Sequence, residues 1–442
     1  MIFEFFPPAL ILLIAAFLGV ISRPTARAVI LLVAPLLTLW SIWSLPDGVV
    51  LTLDFLQYRI EPVEGSAVRR LFATIFALMA FAGGLYAFRQ ARWFELAAAY
   101  AYAAGAIGVS FAGDLITLFL FWELMALFST VVVWCGGTPG ARAAGIRYAI
   151  MHLLGGVILK VGIEGVMVHT GSIEIRPMLA DSFDHWMILI GILINAAAPP
   201  VSAWLSDAYP ESSPTGSVFL SAFTTKTAVL ALILLFPGEP VLIGIGLFMV
   251  MYGIIYALLE NNIRRILAFS IVNQVGFMVC AIGIGTPLAL NGAAAHAFAH
   301  IIYKALLFMS AGAVVYRTGR NKCSEVGGLF RTMPLTAVCG IVGVISESTR
   351  YISSPGETLD FLPVEEALAD AVTSMKALGA DVVVPNPGPH RAGLRPDPRR
   401  VRHGRVGPGQ VVVPGRGRPR HGQPEPVAAV ATELDRWAVR GG

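Results

Sequence analysis

The chain has 442 residues, of which 56% are hydrophobic and only 14% are charged. Ordinary soluble domains carry about 25% charged residues, so this composition excludes a soluble globular protein and indicates a polytopic membrane protein. The formal net charge is +4 at pH 7, but the basic excess lies in loops and beyond residue 390, and it indicates no nucleic-acid partner. The four cysteines show neither a CxxC pattern nor the spacing of metal ligands, so they predict no disulfide framework and no metal site.

Apolar runs of about 20 residues predict eleven membrane spans and the start of a twelfth at residue 332. Arginine and lysine occur in alternate connections, which assigns these connections to the cytoplasm and the N-terminus to the outside. The first run lacks the basic n-region and cleavage site of a signal peptide, so we expect a retained span. The spans are 9–22, 27–45, 69–88, 94–112, 114–135, 147–168, 186–204, 217–236, 241–259, 265–285 and 289–316. The basic connections carry Arg23 and Arg27, Arg89 and Arg92, Arg142 and Arg147, Arg264 and Arg265, and Arg317, Arg320 and Lys322.

The chain divides into three regions of different character. Residues 1–64 hold the first spans and an outer segment, and the alternating apolar and polar residues at 46–68 fit a short β-hairpin or a simple loop equally well. Residues 65–345 form the main transmembrane domain. Residues 346–442 are rich in arginine, proline and glycine, a composition that cannot bury a core and predicts disorder. This last region is either a natural basic tail, which would bind lipid headgroups or a partner, or the product of a changed reading frame near 344–350.

Charged residues inside the predicted spans indicate function. Pro199 and Pro200 remove two backbone donors and predict a broken helix. The next span holds Lys226, and a lysine near the middle of a span costs about 2.5–3.5 kcal/mol on insertion scales. Lys160 and Lys304 also lie inside spans, whereas every arginine before residue 331 lies in a loop or at a span end. Because lysine can lose its proton on burial and arginine cannot, this division favours lysines as proton carriers; static ion pairs are the alternative.

Two carboxylates, Glu123 and Glu164, lie well inside spans. Glu123 lies about ten residues into its span, where a carboxylate must pair, become protonated or face water. Lys160 and Glu164 are spaced i,i+4 on one helix face, so they can neutralise each other. An internal pair that reduces the cost of insertion is therefore an alternative to a role in transport.

Histidine accompanies lysine in the eleventh span. His296, His300 and Lys304 recur every four residues and form one polar stripe on an otherwise apolar helix. Histidine titrates near neutral pH, so the stripe can pass protons along water. The His-x3-His spacing also suits a metal, although no third ligand is evident. We interpret His152 as a hydrogen-bonded packing residue.

The segment from about 65 to 343 resembles the proton-conducting, antiporter-like membrane subunits of respiratory complex I, membrane-bound hydrogenases and Mrp-type Na+/H+ antiporters, with the closest similarity to the D-type member of the Mrp antiporters. The matching motifs are FLFWELM, PVSAWLSDAYPESSPTGSVFLSAFTTKT and HAFAHIIYKALLF. The resemblance implies an all-α fold of fourteen helices with two inverted five-helix repeats, each with a broken helix beside an ion site. In this chain it implies about 11–12 transmembrane helices, with the second repeat incomplete because its broken helix would lie beyond residue 345.

The resemblance also implies the residues of a proton pathway. Glu123 matches the family's carboxylate on the fifth helix, Lys226 the lysine on the eighth, and His300 with Lys304 the pair on the eleventh. The family's lysine on the broken seventh helix is Asn195 here, so Lys226 or Lys160 would take its place. Ser206 replaces the proline of the WLPDA motif. The accessory candidates are Lys160, Glu164, Asn195, His296 and Asp207.

The leading hypothesis is an ion-translocating subunit of a multisubunit cation/proton antiporter that moves protons and Na+ or K+. The alternatives are a proton-pumping subunit of a quinone-linked NADH dehydrogenase or hydrogenase complex, and an inactive truncated fragment. The sequence has no flavin, Fe–S or nucleotide motif, so no cofactor is expected and redox centres would sit on partner chains. The expected partners are other membrane subunits and the lipid of a bacterial cytoplasmic (inner) membrane.

Overall fold

A computed structural model describes residues 6–55 and 58–348, together with two short strands at 351–352 and 360–361. The helices are α1 (Pro8–Ile21), α2 (Pro24–Ser44), α3 (Ala67–Ala87), α4 (Trp93–Phe111), α5 (Leu115–Trp134), α6 (Pro139–Thr170), α7 (Phe183–Asn195), α8 (Ala203–Glu211), α9 (Gly216–Ala222), α10 (Thr224–Leu235), α11 (Val241–Leu259), α12 (Ile263–Ile284), α13 (Pro287–Thr318), α14 (Leu329–Thr332) and α15 (Pro334–Ser348). The strands are β1 (Gly48–Phe55), β2 (Tyr58–Gly65), β3 (Tyr351–Ile352) and β4 (Asp360–Phe361). Disorder is predicted for 346–442. After residue 348 the structure describes only 351–352 and 360–361, so the rest of this region lies outside the described residues.

The fold is all-α and polytopic, as the sequence predicts. Of the described helices, nine have the length and apolar composition to cross a membrane, counting α9 with α10 as one span. The helices α1, α7 and α15 are apolar but shorter. Each predicted span coincides with a helix or with a pair of helices separated by a break. The agreement is expected, because the hydropathy of about 20 consecutive residues depends only on those residues and not on how the helix later packs.

The two 32-residue helices, α6 and α13, begin and end with the same signals. Thr138 caps α6 and Thr286 caps α13, and in each case the side chain accepts a hydrogen bond from a backbone N–H in the first turn. A proline follows each threonine at the first helical position, where its missing N–H costs nothing. Gly171 and Gly319 end the helices with φ of 67° and 68°, a left-handed conformation that favours glycine.

Two of the predicted spans are broken. In the seventh, α7 ends at Asn195 and α8 begins at Ala203, with Pro199 and Pro200 between them, which confirms the predicted break. In the eighth, the predicted span 217–236 is confirmed by the apolar stretch Gly216–Leu235. Within it α9 ends at Ala222 and α10 begins at Thr224, a break that no proline or glycine in the sequence signals.

Residues 46–68 form a β-hairpin rather than a simple loop. Strands β1 and β2 pair antiparallel. The Asp114 carboxylate at the start of α5 accepts a hydrogen bond from the backbone N–H of Glu61 at 2.7 Å. The N–H of Gly113 in turn donates to the carbonyl of Glu61 at 2.9 Å. The hairpin is therefore attached to the junction between α4 and α5 by one backbone–side-chain and one backbone–backbone hydrogen bond, neither of which sequence alternation specifies.

Glycines bring α11 and α12 into close contact. A Cβ atom at Gly246 would lie 2.5 Å from the backbone N of Cys280, and one at Gly276 would lie 2.7 Å from the carbonyl oxygen of Gly246. Gly253 and Gly283 are equally restricted by backbone atoms of the facing helix. Small residues of this kind allow membrane helices to gain van der Waals contact where lipid gives no hydrophobic drive to associate.

Candidate functional site

Lys226 lies directly after the break between α9 and α10. Its side chain is fully buried, and its Nζ donates a hydrogen bond of 2.8 Å to the carbonyl of Ser221. Helix α9 ends one residue after Ser221, so the break presents a backbone acceptor to the amine. Within the described part of the chain, no ion pair joins Lys226 to a carboxylate. The break therefore supplies a polar contact for a lysine that forms no ion pair with any described residue.

The stripe on α13 faces the same buried region. His300 and Lys304 are fully buried, and His296 is stacked on His300 with 6.1 Å between ring centroids. His300 interacts electrostatically with Lys226, Lys304 and His296. Both ring nitrogens of His300 lack a hydrogen-bond partner among the described residues. The structure thus brings together Lys226, His300 and Lys304 from two helices, and their role in a shared pathway stays a prediction.

A carboxylate that the sequence did not single out pairs with Lys304. Glu347 on α15 accepts a hydrogen bond from Lys304 Nζ at 2.5 Å, and the same oxygen accepts one from Ser270 Oγ on α12. The side chain of Lys304 is 0% exposed and that of Glu347 is 20% exposed. The sequence analysis assigned Glu347 to the tail and therefore missed it. The apolar run of 334–345 could have indicated its position, because a helix that continues this run by one turn includes Glu347.

Glu123 occupies a separate position between α5 and α6. A Cβ atom at Gly156 would lie 1.9 Å from Glu123 Oε1, so the carboxylate rests on the bare backbone of this glycine. Glu123 Oε1 is buried without a hydrogen-bond partner among the described residues, as are both side-chain polar atoms of Asn195 at the end of α7. Buried polar atoms of this kind are normally satisfied by ordered water.

Aromatic hydroxyls and His152 lie in the protein interior beside the two broken helices. The His152 ring stacks on Tyr148 at 3.9 Å and meets Trp204 of α8 edge-on at 4.6 Å. The Tyr102 hydroxyl lies 2.5 Å from Thr224 Oγ1 and accepts a hydrogen bond from the Thr224 N–H. His152 is thus a packed residue, as the sequence predicts, while Tyr102 was missed because an isolated tyrosine in an alanine-rich span carries no distinguishing pattern.

The other accessory candidates lie towards the surface. Lys160 and Glu164 form an ion pair on α6 with side chains 41% and 61% exposed, so the predicted i,i+4 pairing is confirmed and faces outward. Asp207 on α8 pairs with Arg147 on α6 at 2.6 Å. Their transport role stays a prediction.

The fold and the buried charges together define a polytopic membrane protein in which the broken helix α9–α10 holds the buried Lys226 and the broken helix α7–α8 holds the buried Asn195. Residues 112–376 match the transmembrane family of NADH:quinone oxidoreductase and Mrp antiporters. The chain belongs to this family.

The relatives include subunits of NADH-quinone oxidoreductases and subunits of cation/proton antiporters. The chain is 30% identical over 69% of its length to the N subunit of NADH-quinone oxidoreductase from Desulforudis audaxviator, and 26% identical over 69% to the D subunit of the Na(+)/H(+) antiporter from Alkalihalophilus pseudofirmus. It covers 64% of each of these relatives. Among solved structures, it is similar to a chain of the Mrp complex from Dietzia sp., with a TM-score of 0.68 and 26% identity over 77% of this chain and 70% of that one. A chain of the archaeal membrane-bound sulfane sulfur reductase matches with a TM-score of 0.70 and 25% identity over 77% of this chain and 62% of that one.

Proposed function

We propose that this chain is an ion-translocating membrane subunit of a multisubunit cation/proton antiporter, and that protons pass along Glu123, Lys226, His300 and Lys304. The observation that carries the proposal is the buried cluster formed by Lys226, His300 and Lys304. Three basic groups in one water-poor region repel one another when all are charged, so protonation of one disfavours protonation of the next. Such coupling suits a group that must load and release a proton.

The break beside Lys226 supports the same role. A carboxylate beside a lysine stabilises the charged form of its amine. Lys226 instead donates a hydrogen bond to the Ser221 carbonyl, and both the charged and the neutral amine can make this contact. Lys304 differs, because Glu347 stabilises its charge. We infer that Lys226 exchanges its proton readily and that Lys304 does so when Glu347 is protonated or displaced.

A proton-pumping subunit of a redox-driven complex is the second candidate function, and the similarity to the N subunit of NADH-quinone oxidoreductase favours it. The two candidates differ in what drives the proton movement. An antiporter in everted vesicles dissipates an imposed pH gradient when Na+ or K+ is added. A redox-driven complex builds a gradient when electron donor and quinone are supplied, and does not respond to those cations.

The proposed pathway is tested with Glu123→Gln, which keeps the side-chain volume but cannot ionise. In vesicles that contain the full complex, we expect this change to abolish cation-dependent proton flux while the protein is still inserted and assembled. The flux is followed with a pH-sensitive dye, and Glu174→Gln serves as the matched control, since it removes an exposed carboxylate from the connection after α6 and Glu174 is not a pathway candidate. Unchanged flux in Glu123→Gln would remove this residue from the pathway.

A further inference from the structure

A cavity of about 940 Å³ lies beside the N-terminal ends of α2 and α4 and the C-terminal end of α5, away from the buried lysine cluster. Two arginines stand in its wall, Arg27 from α2 and Arg92 immediately before α4. The remaining wall is mostly apolar and aromatic, and its large side chains belong to Leu31, Phe88, Trp93, Phe94, Val131 and Trp134. The cavity therefore combines cationic groups with an apolar surface.

The two arginines are available to an anion. Arg27 donates from Nε to the Gly19 carbonyl at 2.7 Å and from Nη2 to the Ser22 carbonyl at 2.8 Å, which fixes the guanidinium and leaves Nη1 without a hydrogen bond among the described residues. Arg92 is exposed. Neither arginine belongs to an ion pair within the described ranges.

One carboxylate lies near enough to attract Arg92, that of Glu95. It is buried, and it accepts hydrogen bonds from the hydroxyls of Ser213 and Thr215, neither of which lines the cavity. The guanidinium of Arg27 lies over the Trp93 ring, 5.5 Å from its centroid. The cavity wall thus keeps a positive charge that no lining carboxylate cancels.

We propose that this cavity binds an anionic phospholipid, with the phosphate between Arg27 and Arg92 and an acyl chain against the aromatic wall. Trp93, Phe94 and Trp134 are 44%, 51% and 45% exposed, so the wall is open at the protein surface. Tryptophan concentrates at the headgroup level of membranes, and basic pockets between membrane helices bind anionic headgroups. A guanidinium presents several donors in one plane, which matches a phosphate. A free phosphate ion would use the arginines but not the apolar wall.

The test is native mass spectrometry of the purified full chain titrated with phosphatidylglycerol, and with phosphatidylcholine for comparison. We expect the wild-type protein to retain phosphatidylglycerol in preference to phosphatidylcholine. The double variant Arg27→Gln/Arg92→Gln should lose roughly 30-fold in affinity for phosphatidylglycerol, because each basic residue near a membrane surface contributes about 1 kcal/mol of binding free energy. Because Arg27 also bonds the turn between α1 and α2, Arg92→Gln alone is measured as well, and it should lose roughly fivefold. The matched control is Arg23→Gln/Arg89→Gln, which removes one arginine from the α1–α2 connection and one from the α3–α4 connection without altering the residues that line the cavity.

Each other outcome overturns the proposal. Equal loss in the control would show general attraction to the membrane boundary. Unchanged phosphatidylglycerol binding in the double variant would place the lipid elsewhere. Displacement of the lipid by millimolar inorganic phosphate would show a site for a soluble anion. A structure of the assembled complex with a helix of another protein in the cavity would show a protein interface instead.

Discussion

Lys226 is the residue at which the proposed mechanism is most sharply tested. A proton carrier must spend time neutral, which arginine cannot do, whereas a static cation can be replaced by arginine. We expect Lys226→Arg and Lys226→Ala each to reduce cation-dependent proton flux by about 100-fold or more, which is the lower end of the range for a positioned acid–base group. The flux is measured in vesicles that contain the full complex, with assembly checked by co-purification. An active Lys226→Arg variant would leave Lys226 with only an electrostatic role.

Glu347 is expected to stabilise the protein through Lys304. Removing one partner of a buried ion pair costs about 3–5 kcal/mol, because the remaining charge is left unpaired. Glu347→Gln should therefore lower the unfolding temperature in a mild detergent, and Lys304→Met added to it should restore most of the loss. The matched control is Glu325→Gln, since Glu325 lies 3.7 Å from Lys322 in an exposed pair. If Lys304→Met failed to restore stability, the pair would not be the source of the effect.

At the scale of helices, the contact of α5 with α6 sets the position of the Glu123 carboxylate. A methyl group at Gly156 would meet the end of the flexible Glu123 side chain rather than backbone, so the helices can stay in place while the carboxylate moves. We expect Gly156→Ala to reduce proton flux severalfold with little change in unfolding temperature. Gly244→Ala is the matched control, because a Cβ atom there meets nothing within 4 Å. It should keep full flux, because the added methyl group displaces no neighbouring side chain. Both variants gain the same helix propensity of about 1 kcal/mol over glycine, so a difference in flux between them reports the contact with Glu123.

At the scale of the whole molecule, the alternation of basic connections predicts which loops face the cytoplasm. Cys323, in the basic connection after α13, should be protected from a membrane-impermeant maleimide in intact cells, whereas Pro177→Cys, between α6 and α7, should be labelled. The other three cysteines are replaced by serine for this experiment. Burial raises the pKa of the Cys323 thiol, so its labelling in permeabilised cells should speed up as pH rises and the thiolate forms. Labelling of Cys323 alone in intact cells would reverse the predicted orientation.

The sequence by itself determined the features of this protein that depend on neighbouring residues. Hydropathy located the helices, since 20 apolar residues span a bilayer wherever they later pack. Pro199 and Pro200 located one break, since a proline removes a helical hydrogen bond in any context. The four-residue spacing of His296, His300 and Lys304 placed them on one face, since an α-helix has 3.6 residues per turn.

Tertiary structure decided the contacts between residues that are distant in the chain. Glu347 becomes the partner of Lys304 only when α15 packs against α13, and Gly156 receives the Glu123 carboxylate only when α6 packs against α5. The hairpin of 46–68 prevails over a simple loop because Asp114 and Gly113 accept and donate its backbone hydrogen bonds. Each of these outcomes depends on the geometry and burial of a second helix, and for that reason no local pattern of residues specifies it.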